Sequence, residues 1–208
     1  AFYERFGSEG YALLERIVDY VSGRAIIIAD AKRGDIGNTS NQYAKAILNT
    51  MGCDALTVSP YMGRDSIEPF IKNPDKGVFI LAVTSNPSAR ELQEHGGTSN
   101  PLYKKVIQLA VELNQGDNIG LVVGATQIEV MEDIRKQSKG MPWLIPGIGA
   151  QGGDLEMALN ISHKNGMGII NVSRAILYAN NGKMEEIIQS AINYTNKIRN
   201  IIWNPVNC

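Results

Sequence analysis

Asp30, Lys32 and Asp35, in the run Ala29-Asp30-Ala31-Lys32-Arg33-Gly34-Asp35-Ile36-Gly37-Asn38-Thr39, are the residues of this chain best suited to chemistry. Asp30 and Lys32 stand two residues apart, so on a strand their side chains share one face. Opposite charges favour the charged form of a lysine held between carboxylates. Such a lysine can donate a proton or anchor an anion. It is not a Schiff-base nucleophile, which requires a lowered pKa. The competing reading is a salt-bridge cluster in a surface loop, and position in the fold separates the two.

A second constellation lies near the other end of the chain, in Pro146-Gly147-Ile148-Gly149-Ala150-Gln151-Gly152-Gly153, with Ser173-Arg174 beyond it. Glycines allow close backbone approach, so exposed N–H groups can face an anion. Alone, the stretch also reads as a tight strand-to-helix turn. It has neither the G-K-[ST] ending of a P-loop nor a spaced G-x-G-x-x-G. Arg174 adds a guanidinium suited to bidentate phosphate binding, and the pair is stronger than either part. His95 and His163 are isolated, with no partners at metal-ligand spacing, and His163 reads as a solvated residue at a helix end. Cys53 precedes an apolar strand and reads as core, and no G-x-S-x-G elbow occurs. No metal, thiol or organic cofactor is implied.

The elements that must position these residues alternate. Strands are expected over residues 25–29, 54–58, 78–83, 119–123, 143–145 and 168–172. The first reads as buried on both faces, as in parallel sheets. Helices are expected over 8–21, 38–48, 65–71, 101–113, about 126–136 and 183–199, with Asn38 or Thr39 as a cap of the second and Pro101 at the first position of the fourth. Six strand–helix repeats imply parallel strands with helical crossovers, as a (β/α)8 TIM barrel or an open doubly wound sheet. The polar residues gather after strands one, three, five and six, always at the strand C-terminal end, where both folds place their sites. The glycine-rich exits belong to the last two strands, which in barrels form the phosphate cradle. The barrel is therefore favoured, as a single domain over 1–208 of which this chain supplies about six βα units.

With 44% apolar and 20% charged residues and a formal net charge of −1, nothing points to broad capture of nucleic acid or of an anionic membrane. No run approaches the roughly 20 apolar residues of a membrane span. Two cysteines, Cys53 and Cys208, make no disulfide framework and fit a reducing cytoplasmic compartment.

Taken together, the run from Ala29 to Thr39, Ser59-Pro60-Tyr61-Met62-Gly63, Thr84-Ser85-Asn86-Pro87, Val122-Val123-Gly124-Ala125-Thr126, the stretch Pro146 to Gly153 and Asn171-Val172-Ser173-Arg174 resemble the orotidine 5'-phosphate decarboxylase family, in its bacterial-type branch. The resemblance covers nearly the whole chain. It implies a (β/α)8 barrel, a homodimer with shared active sites, and cofactor-free, metal-free decarboxylation at the last step of UMP synthesis. On that resemblance Lys32 protonates C6 of the pyrimidine and Asp30 orients Lys32. Asp35 and Thr39 serve the neighbouring subunit's site near the ribose. Ser85 bonds the pyrimidine edge and Pro146 lines the base pocket. Gln151, Ser173 and Arg174 hold the phosphate, under a lid formed by the loop after Pro146. Ser173 stands where many relatives carry glycine.

The family also has an earlier strand with an acid near the ribose, and a second strand whose lysine pairs with the central acid. Ala1-Phe2-Tyr3-Glu4 resembles the segment just after that second strand, so an upstream segment is expected. A molecule that began at Ala1 would be an open barrel with little activity. The alternatives are a sister enzyme, 3-keto-L-gulonate-6-phosphate decarboxylase or hexulose-phosphate synthase, and a non-catalytic binder of phosphate ligands. The sister enzymes share D-x-K-x-x-D but use Mg²⁺ and extra acids, and no matching acid is found in this sequence.

Overall fold

Apolar runs bounded by glycine, proline and polar turns become the strands β1 (Ile28–Arg33), β2 (Ala55–Val58), β3 (Gly77–Val83), β4 (Ile119–Val123), β5 (Trp143–Ile145) and β6 (Gly168–Ile170) in a computed structural model that describes residues 1–203. They are hydrogen-bonded in chain order, and the registered pairs are parallel. Helices separate them: α1 (Gly7–Val21), α2 (Gly37–Ala44), α3 (Arg64–Ile71), α4 (Ala89–Gln93), α5 (Leu102–Leu113), α6 (Ile128–Gln137), α7 (Leu155–Ser162), α8 (Arg174–Leu177) and α9 (Met184–Ile202). A doubly wound sheet reverses its strand order at a switch point. Here the order never reverses, which selects the barrel from the two expected folds. Cys208 lies outside the described residues.

The chain forms two compact units, residues 1–81 with 112–120, and 82–111 with 121 onward. In the first, β2 is buried at every position, and Ile67 and Phe70 of α3 and Ile47 and Leu48 are buried too. Asn118 is buried and donates to the carbonyls of Ile71, Asn73 and Lys76, pinning the turn that leads into β3. In the second unit the core is Leu121, Val123, Met131, Ile134, Trp143, Ile145 and Leu159. The Arg135 guanidinium is buried there, donating to the Ser162 and Met141 carbonyls and the Ser138 hydroxyl, over the Trp143 ring. No carboxylate pairs with it among the described residues, and burial pushes its pKa down.

Several local expectations are corrected. β1 starts three residues later than the apolar run, because its ladder begins only where Ile28 meets Ala55. It is not buried on both faces: its residues are half-buried or exposed, and only β2 pairs with it among the described residues. Neither Asn38 nor Thr39 caps α2; Ile36 stands at that position and makes no side-chain cap. α2 then runs on as a π-helix over Lys45–Thr50. α5 begins at Leu102, one residue after Pro101. α4 and α8 match no expected helix, and of α7 only the end at His163 is expected; α7 is capped by Asp154, whose carboxylate accepts from the Met157 N–H.

Arg33, the last residue of β1, pairs with Glu4, which also accepts from the Tyr11 hydroxyl of α1. The Arg33 hydrogen bond is the main reason that the Glu4 carboxyl falls from its usual 4.5 to about 2. A depressed carboxylate adds stability above its unfolded pKa and loses it as pH falls through the folded value. Glu4→Gln should therefore lower the melting temperature at pH 7, and the gap to the parent should shrink from about pH 4.5 and close near pH 2. An equal gap at both ends of that range in thermal melts would contradict this assignment.

Candidate active site

In the first unit, five residues of β1 (Ala29 to Arg33) are matched against three of β2 (Leu56 to Val58), so the strand bulges by two residues. Asp30, Ala31 and Lys32 lie in that bulge. Lys32 has a positive φ of 48°, uncommon for a side chain with a Cβ and characteristic of functional sites. Its Nζ lies 2.5 Å from Asp30 Oδ1, with both side chains about half exposed. The buried Thr57 of β2 faces the bulge; its hydroxyl accepts from the Lys32 main-chain N–H at 2.9 Å and donates to Asp30 Oδ1 at 3.0 Å. A half-exposed ion pair contributes little to stability. Its value is an ammonium presented at a strand end in a fixed direction.

The lysine is held by one carboxylate, not two. Asp35 forms no ion pair among the described residues; its Oδ1 accepts the Ile36 N–H at 2.8 Å. The buried Ser40 hydroxyl staples the loop, donating to the Asp35 carbonyl and accepting its N–H. Asp35 is thus turned along its own loop. Thr39 stands in the first turn of α2, half-buried.

In the second unit, β3 releases Thr84 and Ser85. Gln93 of α4 grips Thr84 at both its N–H and its hydroxyl, and Gln127 donates to the Thr84 carbonyl. That clamp leaves Ser85 directed at the glycine-rich loop, where its hydroxyl donates to Gln151 Oε1 at 2.9 Å. The loop folds on itself through Gly152 N–H to Gly149 and Gly153 N–H to Gly147, and Ala125 N–H bonds the Pro146 carbonyl. Two glycines are required by the geometry. Gly147 has a φ of 102°, and a Cβ at Gly153 would lie 2.6 Å from the Ala125 Cβ.

Pro146, Gly147, Ile148, Ala150, Gln151, Asn171, Ser173 and Arg174 line a cavity of about 160 Å³. At roughly 30 Å³ per water, that is room for an anionic group rather than one solvent molecule. Arg174 opens α8, is exposed, and has no ion-pair partner among the described residues, so its charge is available to a ligand. The larger cavity, about 570 Å³ beside Leu159, His163, Lys164 and Ile201, holds none of these groups.

The other residues weighed in the sequence are Cys53, His95 and His163. Cys53 is buried and its thiol is pushed up by that burial, which suits core rather than nucleophile. His95 is exposed; His163 ends α7, half-buried rather than solvated, with Nδ1 3.1 Å from the Leu159 carbonyl. No three His, Cys, Asp or Glu side chains converge as metal ligands among the described residues, and no helix among them is long and apolar enough to cross a membrane. The participant that sequence reasoning missed is Thr57. A hydroxyl on a strand expected to be buried needs a hydrogen-bond partner, and that need was the available signal.

The family model "Orotidine 5'-phosphate decarboxylase / HUMPS family" matches residues 1–186. A Dehalococcoides mccartyi protein named orotidine 5'-phosphate decarboxylase is 48% identical over 97% of this chain and 76% of its own length. The Leishmania donovani OMP decarboxylase structure superposes with a TM-score of 0.85 at 35% identity, over 96% of this chain and 78% of that one. The Leishmania donovani UMP synthase gives 0.87 at 37% identity, covering 96% of this chain and 44% of that protein. An orotidine 5'-monophosphate decarboxylase from Methanocaldococcus jannaschii, complexed with the inhibitor BMP, gives 0.70 at 28% identity, over 89% of this chain and 80% of that one.

Proposed function

We infer that this chain, which belongs to the orotidine 5'-phosphate decarboxylase / HUMPS family, decarboxylates orotidine 5'-monophosphate to UMP in pyrimidine biosynthesis. The observation that carries the chemistry is the Lys32–Asp30 pair on the bulge of β1.

The bond from C6 to the carboxylate carbon breaks, CO₂ leaves, and the electron pair stays on C6. Lys32 faces that developing carbanion as an ammonium and stabilises it where charge appears. Its Nζ–H then supplies the proton of the new C6–H bond, and Lys32 recovers a proton from solvent. Asp30 fixes the ammonium in direction, and its own charge crowds the substrate carboxylate until CO₂ departs. Gln151, Ser173 and Arg174 hold the phosphate, Ser85 bonds the pyrimidine edge and Pro146 lines the base pocket. Phosphate binding remote from the reacting carbon can be used to organise the reacting end, with the loop after Pro146 closing as a lid. Asp35 and Thr39 serve a neighbouring subunit near the ribose, in a cytoplasmic homodimer. The Asp35 carboxylate, which is not in the Lys32 pair, is consistent with such a role.

The mechanism uses no metal or organic cofactor. UMP formation, followed by the loss of orotidine 5'-monophosphate absorbance, should be unchanged by EDTA. A strict Mg²⁺ requirement would overturn this reading in favour of the enediolate chemistry of the sister enzymes. The Dehalococcoides mccartyi and Leishmania donovani relatives are named orotidine 5'-phosphate and OMP decarboxylases, and neither that reading nor a non-catalytic binder gains support from them.

A further inference from the structure

We propose that Thr57 is the positioning residue of the proton donor: its single hydroxyl sets both the main chain of Lys32 and the carboxylate of Asp30. The bulge takes Asp30, Ala31 and Lys32 out of the regular ladder, because between the pairs Ala29–Leu56 and Arg33–Val58 β1 has these three residues where β2 has only Thr57. The Lys32 N–H is left without a strand carbonyl, and the Thr57 hydroxyl accepts it at 2.9 Å. A hydroxyl has one proton, and here it goes to Asp30 Oδ1 at 3.0 Å, the same oxygen that lies 2.5 Å from Lys32 Nζ. Thr57 therefore closes a ring through the lysine's amide, its ammonium and the carboxylate between them.

Two further facts separate this from ordinary satisfaction of a buried polar group. Ala55, Leu56 and Val58 of the same strand are apolar and buried, so the core itself has no need of a hydroxyl there. Lys32 holds a left-handed φ of 48°, which a residue with a Cβ keeps only when its surroundings impose it. The Lys32 N–H donates to the Thr57 hydroxyl and to no other acceptor seen among the described residues. With the amide released, the backbone is free to return to extended geometry and to swing Nζ off Asp30. Such a displacement of a reacting group, about 1 Å, can cost 10²-fold.

The inference rests on the reading of Lys32 as proton donor, and its test has an arm independent of activity. Thr57→Val preserves shape and strand propensity but removes acceptor and donor together, and Thr57→Ser keeps both. The Val variant should fold as the parent does by circular dichroism. Its kcat should fall about 10- to 100-fold with KM within about threefold, and the Ser variant should recover most of that loss. By amide hydrogen exchange, Lys32 should lose protection by about tenfold or more in the Val variant and keep it in the Ser variant. Parental kcat in Thr57→Val, an effect confined to KM, or equal losses in Val and Ser would overturn the proposal. So would unchanged Lys32 exchange. If the parent protein forms no UMP, the reading of Lys32 fails, and the exchange comparison alone decides whether Thr57 holds the bulge.

Discussion

Lys32→Ala should lower kcat by about 10⁴-fold while leaving KM within about tenfold. General acid catalysis is worth 10²–10⁴-fold and one preorganised charge at a developing anion 10²–10³-fold. Lys32 is assigned both tasks, and they are not additive, because one ammonium performs them in one event. The substitution should leave the fold intact. The pair it breaks is about half exposed on both sides, and such pairs contribute on the order of 0–1 kcal/mol. A fall in rate with an unchanged melting curve is the combination to look for in UMP formation under saturating substrate. A variant within tenfold of the parent would remove Lys32 from the mechanism. A parent that binds the nucleotide and turns none over would instead favour a non-catalytic binder.

Arg174→Ala should raise KM by about 10²-fold and change kcat less. The guanidinium heads α8 beside the cavity formed by the glycine-rich loop, and it has no carboxylate to neutralise it among the described residues. A bidentate, charge-assisted bond to phosphate is worth up to about 3 kcal/mol, and each 1.4 kcal/mol is about tenfold. Some loss in kcat is expected too, since remote binding can be used at the reacting centre. The specific control is the nucleoside without its phosphate, on which variant and parent should perform alike. Unchanged KM on the phosphorylated substrate would remove Arg174 from the phosphate site.

Much of this was legible in the sequence, and the misses have physical causes. β4 and β5 fall on the expected residues because Gly124 and Pro146 follow them and their runs are short and apolar throughout. β1 was misplaced because an apolar run records hydrophobicity, whereas a strand begins where a partner does, at Ala55. The start of α7 is hidden behind the glycine-rich loop, although Asp154 three residues before Met157 is a sound N-cap signal. Proximity of Asp30 to Lys32 was foreseen from alternation, yet a bulge and a positive φ produce it, and neither leaves a mark in residue type. Nothing in residue type or spacing singles out Arg135 on α6. Only the fold shows it buried over Trp143, answered by carbonyls and a hydroxyl.

The left-handed backbone at Lys32 bears on how this protein can change over generations. At such a φ a glycine costs nothing sterically, whereas a residue with a Cβ forgoes about 1 kcal/mol. Drift under pressure for stability alone would carry position 32 toward glycine. A descendant that had given up its chemistry would be free to take that route, so the side chain at this one position can tell a working lineage from a retired one.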